Sequence, residues 1–233
     1  MKIDKKIFSR PSDWKFDKNV TKNFESHISK SVPFYELSHK LTVNISEFFL
    51  KNNSLYYDLG CSTGTLLQKI YKRHLLKKIK YVGIDESAPM IVKAKKFKKK
   101  NIKFHKSNLR DINFYKSDFI TSLYSMQFIN PKYRQNLFSK IYNSLNWGGG
   151  FVIFEKIRGN DARFQDILNF SYFDFKRENG LSSEEIINKE LSLRSVLEPY
   201  TINTNIDFLK RAGFKDIMPI SQYLCFIGFL AIK

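Results

Sequence analysis

The chain has 233 residues, 42% of them hydrophobic and 15% aromatic, with 40 Lys+Arg against 22 Asp+Glu and a formal net charge of +18. That apolar content excludes a disordered polycation, and no apolar run approaches the roughly 18 to 20 residues that cross a bilayer. Two cysteines exclude a disulfide framework.

No Cys/His spacing resembles a zinc site, so no metal is expected. Met1 to Lys6 is polar with no signal-peptide core behind it, which points to a soluble cytoplasmic protein of a single domain over 1–233. The basic charge suggests a phosphate-bearing partner. Yet it is made of 31 Lys and only 9 Arg, in a chain also rich in Ile, Asn, Phe and Tyr. All are residues of A/T-rich codons, and Arg, which forks onto phosphates, is scarce and scattered. Nucleic acid is therefore not the favoured partner.

Taken in chain order, the residues up to about Pro11 read as a loose basic start. Phe16, Val20, Phe24 and Ile28 mark one helical face, and Pro33 opens a second helix with a stripe at Leu37, Leu41, Ile45 and Phe48. These N-terminal helices occupy residues 1–50. Ser54–Leu59 reads as a strand, Gly60–Gly64 as a tight loop and Thr65–Leu76 as a helix. Lys80–Asp85 is a second strand, followed by a helix from Ala88 into Lys93–Lys100, where cations complement the helix dipole. Asn101–His105, Phe119–Leu123 and Phe151–Glu155 add three strands, with a helix Tyr133–Leu145 stopped by Gly148-Gly149-Gly150. Residues 158–200 break the rhythm with helical, aromatic sequence, an insertion over the site. A helix Ile206–Ala212 ended by Gly213 leads to an antiparallel hairpin, Phe214–Ile220 and Tyr223–Ile232. The alternation predicts an α/β, Rossmann-like fold with a seven-stranded, mostly parallel sheet and its ligand at the carboxyl ends of the strands.

The sharpest local feature is Asp58-Leu59-Gly60-Cys61-Ser62-Thr63-Gly64 between a strand and a helix. Glycine in such a turn lets backbone N–H groups approach a ligand and aims a helix N-terminus at it. The spacing is not the Gly-x-Gly-x-x-Gly of dinucleotide binders. Asp85 closes the second strand, where an acid accepts hydrogen bonds from a ribose diol. Cys61 reads as a small loop residue rather than a nucleophile.

Together these resemble the S-adenosylmethionine (SAM) site of class I methyltransferases. That resemblance puts the glycine loop around the amino-acid end of SAM, Asp85 on the ribose, and Asn108–Ile112, with Asp111, beside the adenine. The likeness runs further. Trp14-Lys15-Phe16-Asp17, Ser31-Val32-Pro33-Phe34-Tyr35, Lys140-Ile141-Tyr142, Phe154-Glu155-Lys156, Asp174-Phe175-Lys176-Arg177, Asn179-Gly180 and Arg211-Ala212-Gly213-Phe214 follow one family in order. From about residue 12 the chain resembles the carboxy-SAM synthase family. The resemblance implies a carboxyl group derived from prephenate, attached to the SAM methyl carbon, a product used on a tRNA wobble uridine, and a homodimer. It puts cofactor contacts on Tyr35, Gly60, Cys61, Ser62, Asp85, Glu86, Asp111 and Ile112; Asp58 and Gly64 join them from the loop.

Two positions depart from the family. Glu190 stands where the family has the arginine that binds the new carboxylate, and Leu123 where it has a ligand-lining asparagine. An arginine gives a carboxylate two charge-assisted hydrogen bonds, whereas glutamate repels it. Arg194, about one helical turn on, is the residue that could reach back. The leading expectation is thus a diverged SAM-dependent methyltransferase acting on a small-molecule acceptor, with Tyr35, Tyr124 and Arg194 as its catalytic candidates. Glu155, Asp174 and Arg177 are further acceptor-handling candidates, and His27 and His39 read as structural. Carboxy-SAM synthesis is the alternative, and a non-catalytic SAM- or tRNA-binding accessory protein the third.

Overall fold

The computed structural model describes residues 1–4 and 7–233. A small antiparallel hairpin, β1 (Lys2–Asp4) and β2 (Ile7–Phe8), comes first, then α1 (Lys18–Ser31) and α2 (Tyr35–Phe49). The central part runs β3 (Leu55–Leu59), α3 (Thr65–Arg73), β4 (Lys80–Asp85), α4 (Ala88–Ala94), β5 (Ile102–Lys106), β6 (Ser117–Leu123), α5 (Pro131–Ser144) and β7 (Leu145–Lys156). The insertion holds α6 (Ala162–Glu178) and α7 (Ser183–Leu193), and α8 (Ile202–Ala212), β8 (Asp216–Tyr223) and β9 (Phe226–Ile232) end the chain.

Seven strands form one sheet in the order β5-β4-β3-β6-β7-β9-β8. The pairs from β5 to β7 are parallel; β7 with β9 and β9 with β8 are antiparallel, as the sequence predicts. β3 is buried along nearly its whole length because helices cover both faces. The strand order reverses between β3 and β6, which opens a crevice at their carboxyl ends.

Four expectations are corrected. The start of the chain is anchored rather than loose: Ile3 and Ile7 are fully buried, and Asn188 Nδ2 on α7 donates to the Lys2 carbonyl at 2.9 Å. The stripe expected to bury α2 faces outward at Leu37 and Phe48, which are 55% and 80% exposed. Its inner face is Tyr35, Ser38, His39, Thr42 and Ser46. Their hydroxyls are satisfied locally: Ser38 Oγ donates to the Tyr35 carbonyl, Thr42 Oγ1 to the Ser38 carbonyl, and Ser46 Oγ bonds His74 Nε2, each at 2.8 Å. The lysine run lies mostly beyond the helix: Lys93 is in the last turn of α4 and Lys95 caps it, but α4 stops at Ala94 and Lys95–Lys100 form the turns before β5. The glycine triplet does not stop α5 but lies inside β7, where a Cβ on Gly150 would meet the Phe49 ring at 2.7 Å. That clearance lets Phe49 stack on Phe119, ring centroids 5.3 Å apart.

Candidate active site

The loop after β3 is built by backbone demands. Gly60 sits at φ +71°, and a Cβ there would fall 1.9 Å from Ser125 Oγ. The amides of Gly60 and Cys61 both donate to the Ile84 carbonyl, at 2.8 and 2.9 Å, which pins the loop to the end of β4. At that end Asp85 accepts from Ser62 N at 2.9 Å and from Ser87 N at 2.8 Å, one bond to each carboxylate oxygen. Burial raises the Asp85 pKa, and these two amide bonds oppose it. A rigid carboxylate thus stands at the crevice with lone pairs to spare.

The crevice deepens into a cleft with about 1580 Å³ of empty space, its mouth included. Tyr35, Asp58, Gly60, Cys61, Ser62, Asp85, Glu86 and Tyr124 all line it. Gly64 does not: it is the left-handed residue before α3, closed off by Phe104. Asp111 is exposed and, like Ile112, lies off the lining, although their neighbour Leu109 is on it. Asp174 and Arg177 are exposed on α6 and face away. The Arg194 expectation is corrected, because α7 ends at Leu193 and Arg194 caps it in the following turn, exposed and off the cleft.

Asp58 Oδ1 accepts from Thr121 Oγ1 at 3.0 Å, but the buried Oδ2 has no hydrogen-bond partner among the described residues. Burial pushes its pKa up to about 7. A cationic amino group brought to Oδ2 would satisfy that atom and favour the ionised carboxyl, so the residues present fit the amino-acid end of SAM. Tyr35 and Tyr124 lie across the cleft wall with ring centroids 6.1 Å apart, and burial raises both phenols, so both stay protonated. His39 lines the same wall, 4.3 Å from the Tyr35 ring by centroids; burial lowers it to about 4 and leaves it neutral.

The inner end of the cleft holds a cluster that spacing along the chain does not reveal. Lys156 ends β7, Lys176 comes from α6, and Lys189 and Glu190 from α7; all four line the cleft. Lys176 Nζ lies 2.8 Å from Glu190 Oε1 and 4.0 Å from the centroid of the Tyr172 ring, on which Lys156 also sits at 4.7 Å. Burial alone would raise Glu190, but Lys156, Lys176 and Lys189 outweigh it and hold the carboxyl below its usual range. Burial lowers the Lys189 pKa strongly. Glu190 therefore does not make this end repel anions: three lysines surround one carboxylate.

Glu155 is not on the lining. Its carboxylate accepts from Met126 N at 3.0 Å beneath the 3-10 turn Met126–Phe128, and burial raises it to about 8. A carboxyl held above its ordinary pKa of 4.5 binds its proton more tightly in the folded state, so its contribution is full at low pH and is lost as pH rises through about 8. Glu155→Gln is accordingly expected to gain stability relative to wild type as pH rises from about 5 to about 9. Thermal melts across that range check this; a difference independent of pH would count against it.

Among the described residues no helix is long and apolar enough to cross a membrane, and no group of three or more His, Cys, Asp or Glu could hold a metal ion. A family model described as a methyltransferase domain matches residues 57–149. The carboxy-S-adenosyl-L-methionine synthase of Staphylococcus epidermidis is 40% identical over 225 residues, 96% of this chain and 98% of the relative. That of Campylobacter lari is 35% identical over 232 residues, 97% and 98% of the two chains. Among solved structures, a Haemonchus contortus phosphoethanolamine N-methyltransferase 2 with SAM superposes with a TM-score of 0.67, covering 94% of this chain and 57% of that one at 15% identity. Human N-acetylserotonin methyltransferase with SAM gives 0.62 at 16% identity, covering 93% and 56%. Both show the shared fold.

Proposed function

The chain belongs to the carboxy-S-adenosyl-L-methionine synthase family, and from that premise we propose that it adds a carboxyl group to SAM rather than passing the SAM methyl group to a small acceptor. Membership makes it a SAM-dependent transferase, with SAM or carboxy-SAM as the ligand of the cleft. The expectation of a diverged methyltransferase rests on Glu190 repelling a carboxylate. One observation removes that premise: Lys176 pairs with Glu190, and Lys156 and Lys189 add positive charge around it. An anion entering there meets more cations than carboxylates.

When bound, SAM would supply a methyl carbon whose C–H bonds the adjacent sulfonium acidifies. Carboxyl addition forms a C–C bond there as one methyl proton is lost; the donor's bond to its carboxyl carbon breaks, and the donor's hydroxyl leaves with that proton as water. The loop residues Gly60–Ser62 and Asp85 orient SAM, Asp58 Oδ2 holds its amino group, and Tyr35 and Tyr124 wall the reacting end from water. The lysines receive the carboxyl donor and then the new carboxylate. Leu123, on the lining where the family has asparagine, adds apolar surface and no donor, which leaves anion binding to the lysines.

Incubation with SAM and prephenate, followed by mass spectrometry of the nucleotide, tests the proposal. A nucleotide heavier than SAM by the mass of one CO2, a carboxyl in place of a methyl hydrogen, is expected. Demethylated nucleotide with a methylated acceptor would overturn it. Lys176→Met strands Glu190 without its cation and should lower kcat/KM for the acid by roughly 30- to 100-fold, the worth of a charge-assisted contact. The double variant Lys176→Met with Glu190→Gln should recover part of that loss, read by steady-state kinetics.

A further inference from the structure

One wall of the inner cleft comes from α1 and carries polar atoms left unpaired among the described residues. His27 is 5% exposed, its Nδ1 lies 3.1 Å from Asp4 Oδ2, and its Nε2 is buried with no hydrogen-bond partner among the described residues. One turn on, Ser31 Oγ is likewise buried and unpartnered as a donor, and both residues line the same cleft. Residues four apart share a helical face, so the two groups belong to one stripe. Proteins seldom leave buried polar atoms unpaired unless a ligand or a water completes them.

The chemistry of the wall is specific. An ionised carboxylate only accepts, so Nδ1 carries its proton toward Asp4, and the neutral ring is left with an acceptor lone pair at Nε2. Burial is the main cause that lowers the His27 pKa, and Lys189 nearby also disfavours the charged ring. Lys189 lies over the Trp14 ring and makes no ion pair among the described residues; burial disfavours its charged form in the empty cleft, so an incoming anion, as its countercharge, would favour the ammonium. A cation, an acceptor and a hydroxyl thus converge at one end of a cleft whose other end fits SAM.

We infer that His27, Ser31 and Lys189 form a subsite for a hydroxyl-bearing carboxylic acid, whose carboxylate faces the Lys189 ammonium and whose hydroxyl donates to His27 Nε2 and accepts from Ser31 Oγ. The inference rests on the carboxyl-transfer reading and deepens it, because it assigns the end of the cleft that selects the donor acid. Asp4 is a positioning residue, acting through the tautomer of His27. An acid of the same shape without the hydroxyl leaves Nε2 unpaired and is discriminated against.

Steady-state assays with SAM and prephenate test the subsite. His27→Leu is expected to raise KM for prephenate about tenfold or more with KM for SAM unchanged, and His27→Gln, whose amide oxygen falls near the Nε2 position, to recover most of that loss. Asp4→Asn should raise KM for prephenate by less and increase the Nε2-protonated tautomer in the nitrogen-15 spectrum of the imidazole. Equal prephenate KM values in wild type and His27→Leu would overturn the inference. If wild type makes no carboxylated nucleotide, the carboxyl-transfer reading fails on its own, and the His27 Nε2 resonance of SAM-bound protein decides the subsite. A shift on adding prephenate supports it; an unmoved resonance, with water alone completing the atom, overturns it.

Discussion

Gly60→Ala is expected to abolish detectable SAM binding and to destabilise the fold. The backbone at φ +71° costs an L-residue about 1 to 2 kcal/mol, and the new methyl would lie 1.9 Å from Ser125 Oγ and 2.5 Å from Ser125 Cβ. Ser125 is held in place: it caps the 3-10 turn Met126–Phe128, and its Oγ already donates to the Leu123 carbonyl at 3.1 Å. With the clash added, a loss of about 3 kcal/mol corresponds, for a chain of this size, to a Tm drop of roughly 6 to 12 °C. A second variant separates the two causes. Gly60→Ala combined with Ser125→Gly removes the clash and keeps the backbone strain, so it should regain part of the Tm. Wild-type Tm and affinity in Gly60→Ala alone would refute the account of the loop.

Asp85→Asn should weaken SAM binding by roughly 30- to 100-fold in calorimetry, the span of about 2 to 3 kcal/mol that charge-assisted hydrogen bonds supply. The side chain does two jobs at once. It accepts from Ser62 N and Ser87 N, and its remaining lone pairs face the cleft. An asparagine presents its NH2 to one of those N–H groups, donor against donor, so the loop loses a tether as well as the ligand losing a carboxylate. Asp85→Glu keeps the charge but moves it by one methylene, and is expected to fall between wild type and Asp85→Asn. An Asp85→Asn variant that binds SAM as tightly as wild type would remove Asp85 from the site.

The parts of this molecule legible in its sequence are those fixed by neighbours along the chain. The strand Leu55–Leu59, the turn at Gly60 and the acid at Asp85 follow from a few contiguous residues whose backbone needs are local, and the structure places all three at the cleft. The stripe on α2 was not legible, because serine and threonine can be buried when they bond their own helix carbonyls, as Ser38 and Thr42 do. The lysine cluster was hidden for another reason. Lys156, Lys176 and Lys189 are 20 and 13 residues apart and sit on different elements, so along the chain they are three members of a general excess. Only their convergence on Glu190 distinguishes them. Arg194 is the reverse case: reaching back one turn required α7 to continue past Leu193, and the helix ends there.

The strand pair Lys2–Asp4 and Ile7–Phe8 bears on the order in which the molecule is made. Ile3 lines the cleft, and Asn188 grips the Lys2 carbonyl across 186 residues of sequence. These residues must therefore wait for α7, far along the chain, before they find their place, a costly loop to close. The sheet and the glycine turn depend on much nearer partners and can form without them. The end of the cleft walled by Ile3 is therefore the last compartment to be sealed, after the sheet and the glycine turn are in place.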